Sequence, residues 1–124
     1  MNKHDIRIIV KSQYLSDQSN PDEGQFVHAY TIRIENHGET TVQLISRKWH
    51  IVDANDDVQE VSGIGVVGEQ PHIAPGEHDV YTSGAVIATP TGTMEGAYTM
   101  ENSDGDAFDV AIPLFSLVQP SALH

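Results

Sequence analysis

Residues 26–36 read FVHAYTIRIEN, and apolar or aromatic side chains recur at every second position of this stretch. The side chains that would share one face are Phe26, His28, Tyr30, Ile32 and Ile34. The opposite face would carry Thr31, Arg33 and Glu35. Because successive side chains of a strand point to opposite sides, this alternation predicts a β-strand with one buried face. His28 shares the inward phase and is interpreted as a core histidine with satisfied hydrogen bonds.

The rest of the chain keeps the same period of two rather than the 3.6 of a helix. Further predicted strands are IRIIVKSQY at 6–14, VQLISRKWHIVD at 42–53, VQEV at 58–61, VYTS at 80–83, TMEGAYTM at 93–100 and AFDVAIPLFSL at 107–117. In the last of these, the side chains predicted to face the core are Phe108, Val110, Ile112 and Leu114. The pattern of residues 42–53 changes phase near Ser46 and Arg47, which predicts a β-bulge. Trp49, in the same stretch, either fills the core between sheets or anchors a surface contact, and the core is the favoured assignment.

Turn sequences separate these strands at short intervals, and no window has the pattern of an amphipathic helix. They are SNPDEG, ENHGET, DANDD, GIGVVG, APGE, TPTG and NSDGD. About seven short antiparallel strands without crossover helices predict an all-β fold, an antiparallel β-sandwich of the immunoglobulin or fibronectin type III kind. We expect one domain over residues 1–124, with an ordered core over about 5–118.

Composition restricts the classes of function. The 124 residues include no cysteine, which excludes disulfides, thiolate metal sites and cysteine nucleophiles. The net charge is −12, and every Lys and Arg lies at or before Lys48. Nucleic-acid binding needs basic residues to neutralise phosphates, so no nucleic-acid partner is expected. No apolar run is long enough to span a membrane, so we expect a soluble cytoplasmic protein without membrane insertion.

The segment GIGVVG at 63–68 matches the G-x-G-x-x-G pattern of dinucleotide-binding folds. That pattern requires a helix after the glycines, and here Pro71, Pro75 and Gly76 follow, which would break one. No nucleotide or other cofactor is therefore expected. We interpret the glycines as permitting positive φ and close backbone approach in a long loop between sheets. The loop remains a candidate binding loop, for a protein or for a small anion such as pyrophosphate, formed by Gly63, Ile64, Gly65, Val66, Val67, Gly68 and Glu69.

Metal and catalytic patterns are weak. DANDD and NSDGD begin like calcium loops but lack the required glycine and glutamate, so both are interpreted as hairpin turns. His72 and His78 flank the APGE turn, where they could meet, and are weak metal candidates. The nucleophile elbow G-x-S-x-G is absent and no carboxylate pair has an apolar setting, so we predict that the protein is not an enzyme.

Several short motifs nevertheless occur in the same order as in a known family. They are ENHG, LISRKW, GxGVVGEQP, IAPGE, YTSG, TPTGTMxGxY and FDVxIPxFSL, preceded by SNPDEGQFVHAYTIRI. In order and spacing they resemble the bacterial ApaG proteins, also called CorD, along almost the whole chain. Ile64 departs from the acidic residue that many members carry in the glycine loop.

The resemblance implies a fibronectin type III-like sandwich without established catalytic activity, linked to cobalt resistance and magnesium efflux. Two hypotheses follow. In the first, the protein is an interaction module, in which Val66, Val67 and Ile73 form an apolar patch or an edge strand accepts a strand of an unidentified protein partner. A homodimer paired through an edge strand is one form of this hypothesis. In the second, the protein is a cation-responsive factor whose acidic residues bind Mg²⁺ or Co²⁺ weakly.

Overall fold

The computed structural model describes residues 4–120, and these contain eight β-strands, two short 3₁₀ turns and no α-helix. The strands are β1 (Ile6–Tyr14), β2 (Phe26–Asn36), β3 (Val42–Asp53), β4 (Val58–Ile64), β5 (His72–Ile73), β6 (His78–Ile87), β7 (Thr91–Asn102) and β8 (Ala107–Val118). The 3₁₀ turns are Ser16–Gln18 and Pro21–Glu23. The ends of the predicted domain, residues 1–3 and 121–124, lie outside the described residues.

Two antiparallel sheets form a β-sandwich, which confirms the predicted fold class. One sheet has the strand order β1-β2-β6, and the other has the order β4-β3-β7-β8, with β5 paired to β3 beside β4. The prediction of about seven strands holds for the long elements. The structure adds one strand that was not predicted, β5. It has only two residues, too few for an alternating pattern to be recognised in the sequence.

Strand β2 lies at the centre of its sheet and buries every second side chain, as its alternation predicts. Ile32 and Ile34 are fully buried, and Phe26, His28 and Tyr30 are each at most 6% exposed. Burying an aliphatic or phenyl side chain of this size stabilises a fold by about 1.5–3 kcal/mol. The predicted inward face of residues 26–36 is therefore confirmed, and it supplies much of the core.

Trp49 lies between the two sheets, which confirms its assignment to the core. Its ring centroid is 5.3 Å from that of Tyr30 on β2 and 5.9 Å from that of Phe115 on β8, both edge to face. Gly96 on β7 leaves room for the neighbouring strand, because a Cβ atom there would come within 2.1 Å of the Lys48 carbonyl oxygen. Strands β3 and β7 thus approach closely beneath the indole.

Two bulges change the alternation of the second sheet. The register between β3 and β7 shifts between Leu44 and Ser46, so Ile45 is the extra residue, next to the position predicted from the sequence. A second shift sets the two residues Pro113 and Leu114 on β8 opposite the single residue Glu95 on β7. Proline cannot donate to a ladder and is often found at such irregularities. The prediction that Leu114 faces the core is therefore wrong: Leu114 is 57% exposed, and Leu117 is buried instead.

The segments DANDD and NSDGD are hairpin turns, as predicted. In the first, Asp53 Oδ1 accepts hydrogen bonds from the amides of Asn55 and Asp57. In the second, Asn102 Oδ1 accepts from the amides of Asp104 and Asp106. These side chains stabilise the turns by satisfying backbone donors.

The two sides of the sandwich differ in how closely the sheets meet. On one side the edges of β1 and β8 lie together, and Ser12 Oγ donates to the Ser116 carbonyl oxygen over 3.0 Å. On the other side the edge strands are β4 and β6, and a groove separates them. This open side carries the candidate site.

Candidate functional site

The glycine segment forms a tight turn after the edge strand β4. Val66 and Glu69 exchange two backbone hydrogen bonds of 2.8 and 2.9 Å. The two central residues have positive φ, 49° at Val67 and 78° at Gly68, as in a type I′ turn. The chain then returns to β5, which pairs with the same strand as β4 does. The loop therefore joins two strands of one sheet, and the prediction of a loop between sheets is wrong.

Each glycine of the G-x-G-x-x-G pattern has a local structural reason. A Cβ atom at Gly63 would lie 2.9 Å from the Arg47 guanidinium, and one at Gly65 would lie 2.2 Å from the Glu69 carbonyl oxygen. Gly68 has open space around it but adopts positive φ. The interpretation of these glycines as permitting close approach and positive φ is confirmed, and the folded turn accounts for the pattern without a nucleotide.

The loop is attached to the bulge on β3. The Gly65 amide and Gln70 Nε2 both donate to the Ile45 carbonyl oxygen, over 2.8 and 3.0 Å. Arg47 Nη1 donates to the carbonyl oxygens of Ile64 and Gly65 over 3.2 and 2.8 Å. The amides of Gly65, Val66 and Glu69 are thus used within the fold. A small anion would have to bind the remaining amides, and this use of the loop stays a prediction.

The turn does not form the apolar patch predicted from Val66, Val67 and Ile73. Val66 and Ile73 are 2% and 1% exposed and belong to the core, whereas Val67 is 62% exposed. The turn directs Val66 inward and Val67 outward, which a run of two valines does not reveal. The exposed apolar surface lies instead along β4, where Val58, Val61 and Ile64 are 50%, 40% and 76% exposed.

A groove of about 360 Å³ runs along the open side between β4 and β6. Its floor includes Tyr30, Trp49 and Met94, and its two rims include Val61 from β4 and Val86 from β6. Gln59 spans it, since its Nε2 atom donates to the Val86 carbonyl oxygen over 3.2 Å. Sequence reasoning missed this groove because alternation identifies strands but does not show which strands become edges.

Two residues that line the groove carry polar groups with no side-chain partner among the described residues. Trp49 Nε1 is buried and has no hydrogen-bond partner among the described residues. Arg47 forms no ion pair with any carboxylate of residues 4–120, although it donates to two backbone carbonyls. The groove therefore combines an apolar floor with a cationic group at one end.

Known proteins match this chain along most of its length. A family profile described as the ApaG domain matches residues 16–102. The chain belongs to the ApaG family. Protein ApaG of Pseudomonas paraeruginosa is 53% identical over 122 residues, which cover 98% of this chain and 97% of that protein. Protein ApaG of an Enterobacter species (strain 638) is 56% identical over 119 residues, which cover 96% and 95% of the two chains.

A solved structure agrees with both the ApaG family and the fold. The crystal structure of a protein described as ApaA from Bordetella pertussis superimposes with a TM-score of 0.91 at 47% identity, covering 94% of this chain and 95% of that one. The resemblance drawn from the motifs is therefore confirmed for both family and sandwich. Within residues 4–120 of this ApaG family member, no helix is long and apolar enough to cross a membrane.

The structure separates the two histidines proposed as metal candidates in this ApaG sandwich. His72 lies on β5 in a cleft with Gln43 and Glu101, whereas His78 begins β6 in the other sheet, in a cleft with Glu35 and His37. They line different clefts in different sheets, so the structure does not show the possible meeting across the APGE turn. Among the described residues, no group of three or more His, Cys, Asp or Glu side chains is placed to hold a metal ion.

Hydrogen bonding and burial shift the pKa values of Glu35, Tyr81 and Tyr98 in the ApaG sandwich. Hydrogen bonds from His37 and Arg33 lower the pKa of Glu35 to about 2. Tyr81 on β6 and Tyr98 on β7 share a hydrogen bond between their hydroxyl groups, and burial raises the pKa of both phenols above the usual range. These two tyrosines connect the sheets, and their environment keeps them protonated.

His28 is a core histidine, as predicted, with 1% of its surface exposed. The prediction that its hydrogen bonds are satisfied is wrong for Nε2, which is buried without a partner among the described residues. Burial lowers the pKa of His28, because the charged imidazolium is poorly solvated there. Its ring contacts Tyr14 edge to face at 5.3 Å, so it acts as part of the core.

Proposed function

We propose that this protein is a non-catalytic interaction module that binds a protein partner along the open side of the sandwich. The observation that carries the proposal is the exposed apolar edge strand β4 beside the groove. Large apolar side chains that cluster on one edge of a small domain are typical of binding surfaces. The predicted contact surface is thus moved from Val66 and Ile73 to β4 and the groove.

Strand β4 lacks the usual features that prevent edge-to-edge association. Natural edge strands are commonly shortened, bulged, or protected by lysine, proline or inward-pointing charges. The seven residues of β4 contain neither lysine nor proline, and Glu60 is their only charged side chain. An exposed edge of this kind can accept a strand from another chain by β-addition.

Val67 supports the same surface. It follows β4, is 62% exposed, and adopts positive φ, which β-branched residues rarely do. Such a conformation costs roughly 1–2 kcal/mol for an L-residue, and glycine or asparagine would avoid most of that strain. An exposed apolar side chain kept in a strained position is consistent with a contact made by that side chain.

The groove is suited to binding rather than to acid–base chemistry. Its lining contains no His, Asp, Glu, Lys or Cys, and Ser83 therefore has no adjacent base within the groove. The Arg47 guanidinium lines the groove and can attract a carboxylate of a partner, whereas the Trp49 Nε1–H is buried beneath the groove surface. Arg47 thus supplies an oriented polar contact of the kind that gives an apolar groove its specificity.

The links to cobalt resistance and magnesium efflux that the resemblance implies would then act through the bound partner. Direct cation binding has less support in the structure, because the described residues contain no cluster of three ligating side chains. The carboxylate of Asp53 is also used by the backbone of its own turn. We therefore favour the interaction module over the cation-responsive factor.

The test is affinity capture from bacterial lysate with the double variant Val61→Asp/Ile64→Asp. Both side chains are exposed, so the fold should persist, as checked by circular dichroism. The matched control is Ile9→Asp, a 50% exposed apolar position on β1. We expect proteins retained by the wild type and by the control to be lost from the double variant. Equal retention by all three proteins would contradict a role for the open side.

A further inference from the structure

We infer that the partner of the β4 edge is a second copy of this chain, paired antiparallel about a twofold axis through Val61. This inference rests on the proposed function and specifies its partner. It follows from three properties of β4: which backbone groups face outward, which residues would oppose one another, and how charge is distributed along the edge.

The hydrogen bonds at the two ends of the β3–β4 ladder show which residues face outward. Gly65 N donates to the Ile45 carbonyl oxygen, and Asp53 N donates to the Asp57 carbonyl oxygen. In an antiparallel ladder, hydrogen-bonded and non-hydrogen-bonded pairs alternate, and the β3–β4 register between these ends is continuous. Odd-numbered residues of β4 therefore bond to β3. The residues whose backbone groups face the free edge are Val58, Glu60, Ser62 and Ile64.

This phase limits the registers in which two copies can pair. In a paired dimer, the even-numbered residues of one copy must lie opposite even-numbered residues of the other, because only these have free backbone groups. The midpoint of two even positions is itself a residue position, so the twofold axis passes through a residue rather than between two residues. An axis at Val61 sets Val58 opposite Ile64 and Glu60 opposite Ser62, each pair occurring twice. These even-numbered pairs are the ones whose backbones can exchange hydrogen bonds, so all seven residues of β4 take part in the ladder.

The side chains favour the same axis. On the outer face, the 50% exposed Val58 would cover the 76% exposed Ile64, while Glu60 would meet the neutral Ser62. On the groove face, the two Val61 side chains would meet at the axis. An axis at Glu60 would set two glutamates opposite each other, which is unfavourable in a sheet. An axis at Ser62 would set Glu60 opposite Ile64 and leave Val58 unpaired.

Charge along this edge is compatible with self-association despite the net charge of −12. Glu60 is the only acid of β4, and its carboxylate lies 3.1 Å from His50 Nδ1 on β3. Lys48 and Arg47, on the same part of β3, add positive charge next to β4. The remaining acids of the two copies still repel each other at long range, so we expect salt to strengthen the dimer.

The first experiment uses the absence of cysteine from the chain. In the Val61→Cys variant, the two thiols would face each other in a non-hydrogen-bonded pair with Cα atoms about 4.5 Å apart, within the range of a disulfide. The matched control Gln59→Cys is on the same face of the same strand, but the two copies of residue 59 would be four positions apart, about 13 Å. Under mild oxidation, we expect the Val61→Cys dimer to form at least about tenfold faster, since only its thiols fall within disulfide range.

The second experiment changes charge at the register position opposite Glu60. Ser62→Glu would create two glutamate pairs across the interface, and Ser62→Lys would create two opposite-charge pairs. At about 0.2–1 kcal/mol for each cross-strand pair, we expect Ser62→Glu to raise the dimer Kd about 2- to 30-fold and Ser62→Lys to lower it by a similar factor. Sedimentation velocity over a concentration series measures both, because a strand interface of this size should give a reversible dimer.

Two results would overturn the inference. The first is wild-type protein that stays monomeric up to about 1 mM, a concentration above which specific association is not expected. The second is disulfide cross-linking of Val61→Cys and Gln59→Cys at equal rates. Equal shifts of Kd by Ser62→Glu and Ser62→Lys would also overturn the register. Each of these results leaves the proposed function separately testable. Val61→Asp/Ile64→Asp would still lose captured proteins if a different partner uses this edge, and would lose none if the proposed function is wrong.

Discussion

Alanine at Gly65 should destabilise the fold much more than alanine at Gly68, although both glycines belong to the same G-x-G-x-x-G pattern. Both have positive φ, 65° and 78°, which costs about 1–2 kcal/mol for an L-residue. They differ in their surroundings. A Cβ atom at Gly65 would lie 2.2 Å from the Glu69 carbonyl oxygen, whereas a Cβ atom at Gly68 would meet no atom within 4 Å.

The magnitude follows from the contacts that must change at Gly65. To relieve the clash, Glu69 must move away, which breaks its two backbone hydrogen bonds with Val66. Each such bond contributes about 0.5–1.5 kcal/mol net. Together with the backbone strain, we expect Gly65→Ala to lower the free energy of unfolding by about 2–5 kcal/mol, and Gly68→Ala by about 1–2 kcal/mol.

Urea denaturation monitored by tryptophan fluorescence measures both variants directly. Trp49 is the only tryptophan and is 2% exposed, so its emission should report global unfolding. If the two variants differ from each other by less than about 0.5 kcal/mol, the steric explanation of Gly65 is refuted. If both match the wild type, the glycines would be kept for something other than the turn, and a ligand would again have to be considered.

Two further predictions concern buried polar groups. Because burial lowers the pKa of His28, the unfolded chain binds a proton that the folded protein does not, so the free energy of unfolding should fall as pH drops below about 6.5. His28→Phe should remove that part of the pH dependence in urea denaturation, and parallel curves for variant and wild type would contradict it. Tyr98→Phe should cost about 1–3 kcal/mol by leaving the Tyr81 hydroxyl unpartnered, and Tyr81→Phe/Tyr98→Phe should cost less than the two single variants together. Strictly additive losses would show that the two hydroxyls are not coupled.

Predictions from alternation succeeded where the backbone is regular. The strict period of residues 26–36 and the phase change before Trp49 identified buried faces and a bulge from the sequence alone. Alternation failed at Leu114, where a second bulge at Pro113 reverses the phase, and the separate prediction of an apolar patch failed at Val66, where a tight turn directs the side chain inward. In each failure one backbone irregularity moves a side chain to the opposite face, and a period of two contains no information about such an insertion.

The candidate site was only partly accessible to sequence reasoning. The glycine loop could be recognised as structural because Pro71 and Pro75 exclude the helix that a nucleotide fold requires. The open side could not be recognised, because Val58 and Val61 have the same local pattern as strand residues that are covered. Likewise, neither Arg47 nor Trp49 carries a local signal that it would line a groove.

The amino-acid sequence by itself determined that this protein is a β-sandwich of the ApaG family, since strand period, turn residues and motif order are local properties of the chain. Only the tertiary structure decided which strands form the edges and which histidines lie near each other. It also decided that β4 exposes its apolar side chains. The physical reason is that edges, clefts and exposure depend on contacts between residues far apart in sequence, and those contacts exist only after the two sheets have packed together.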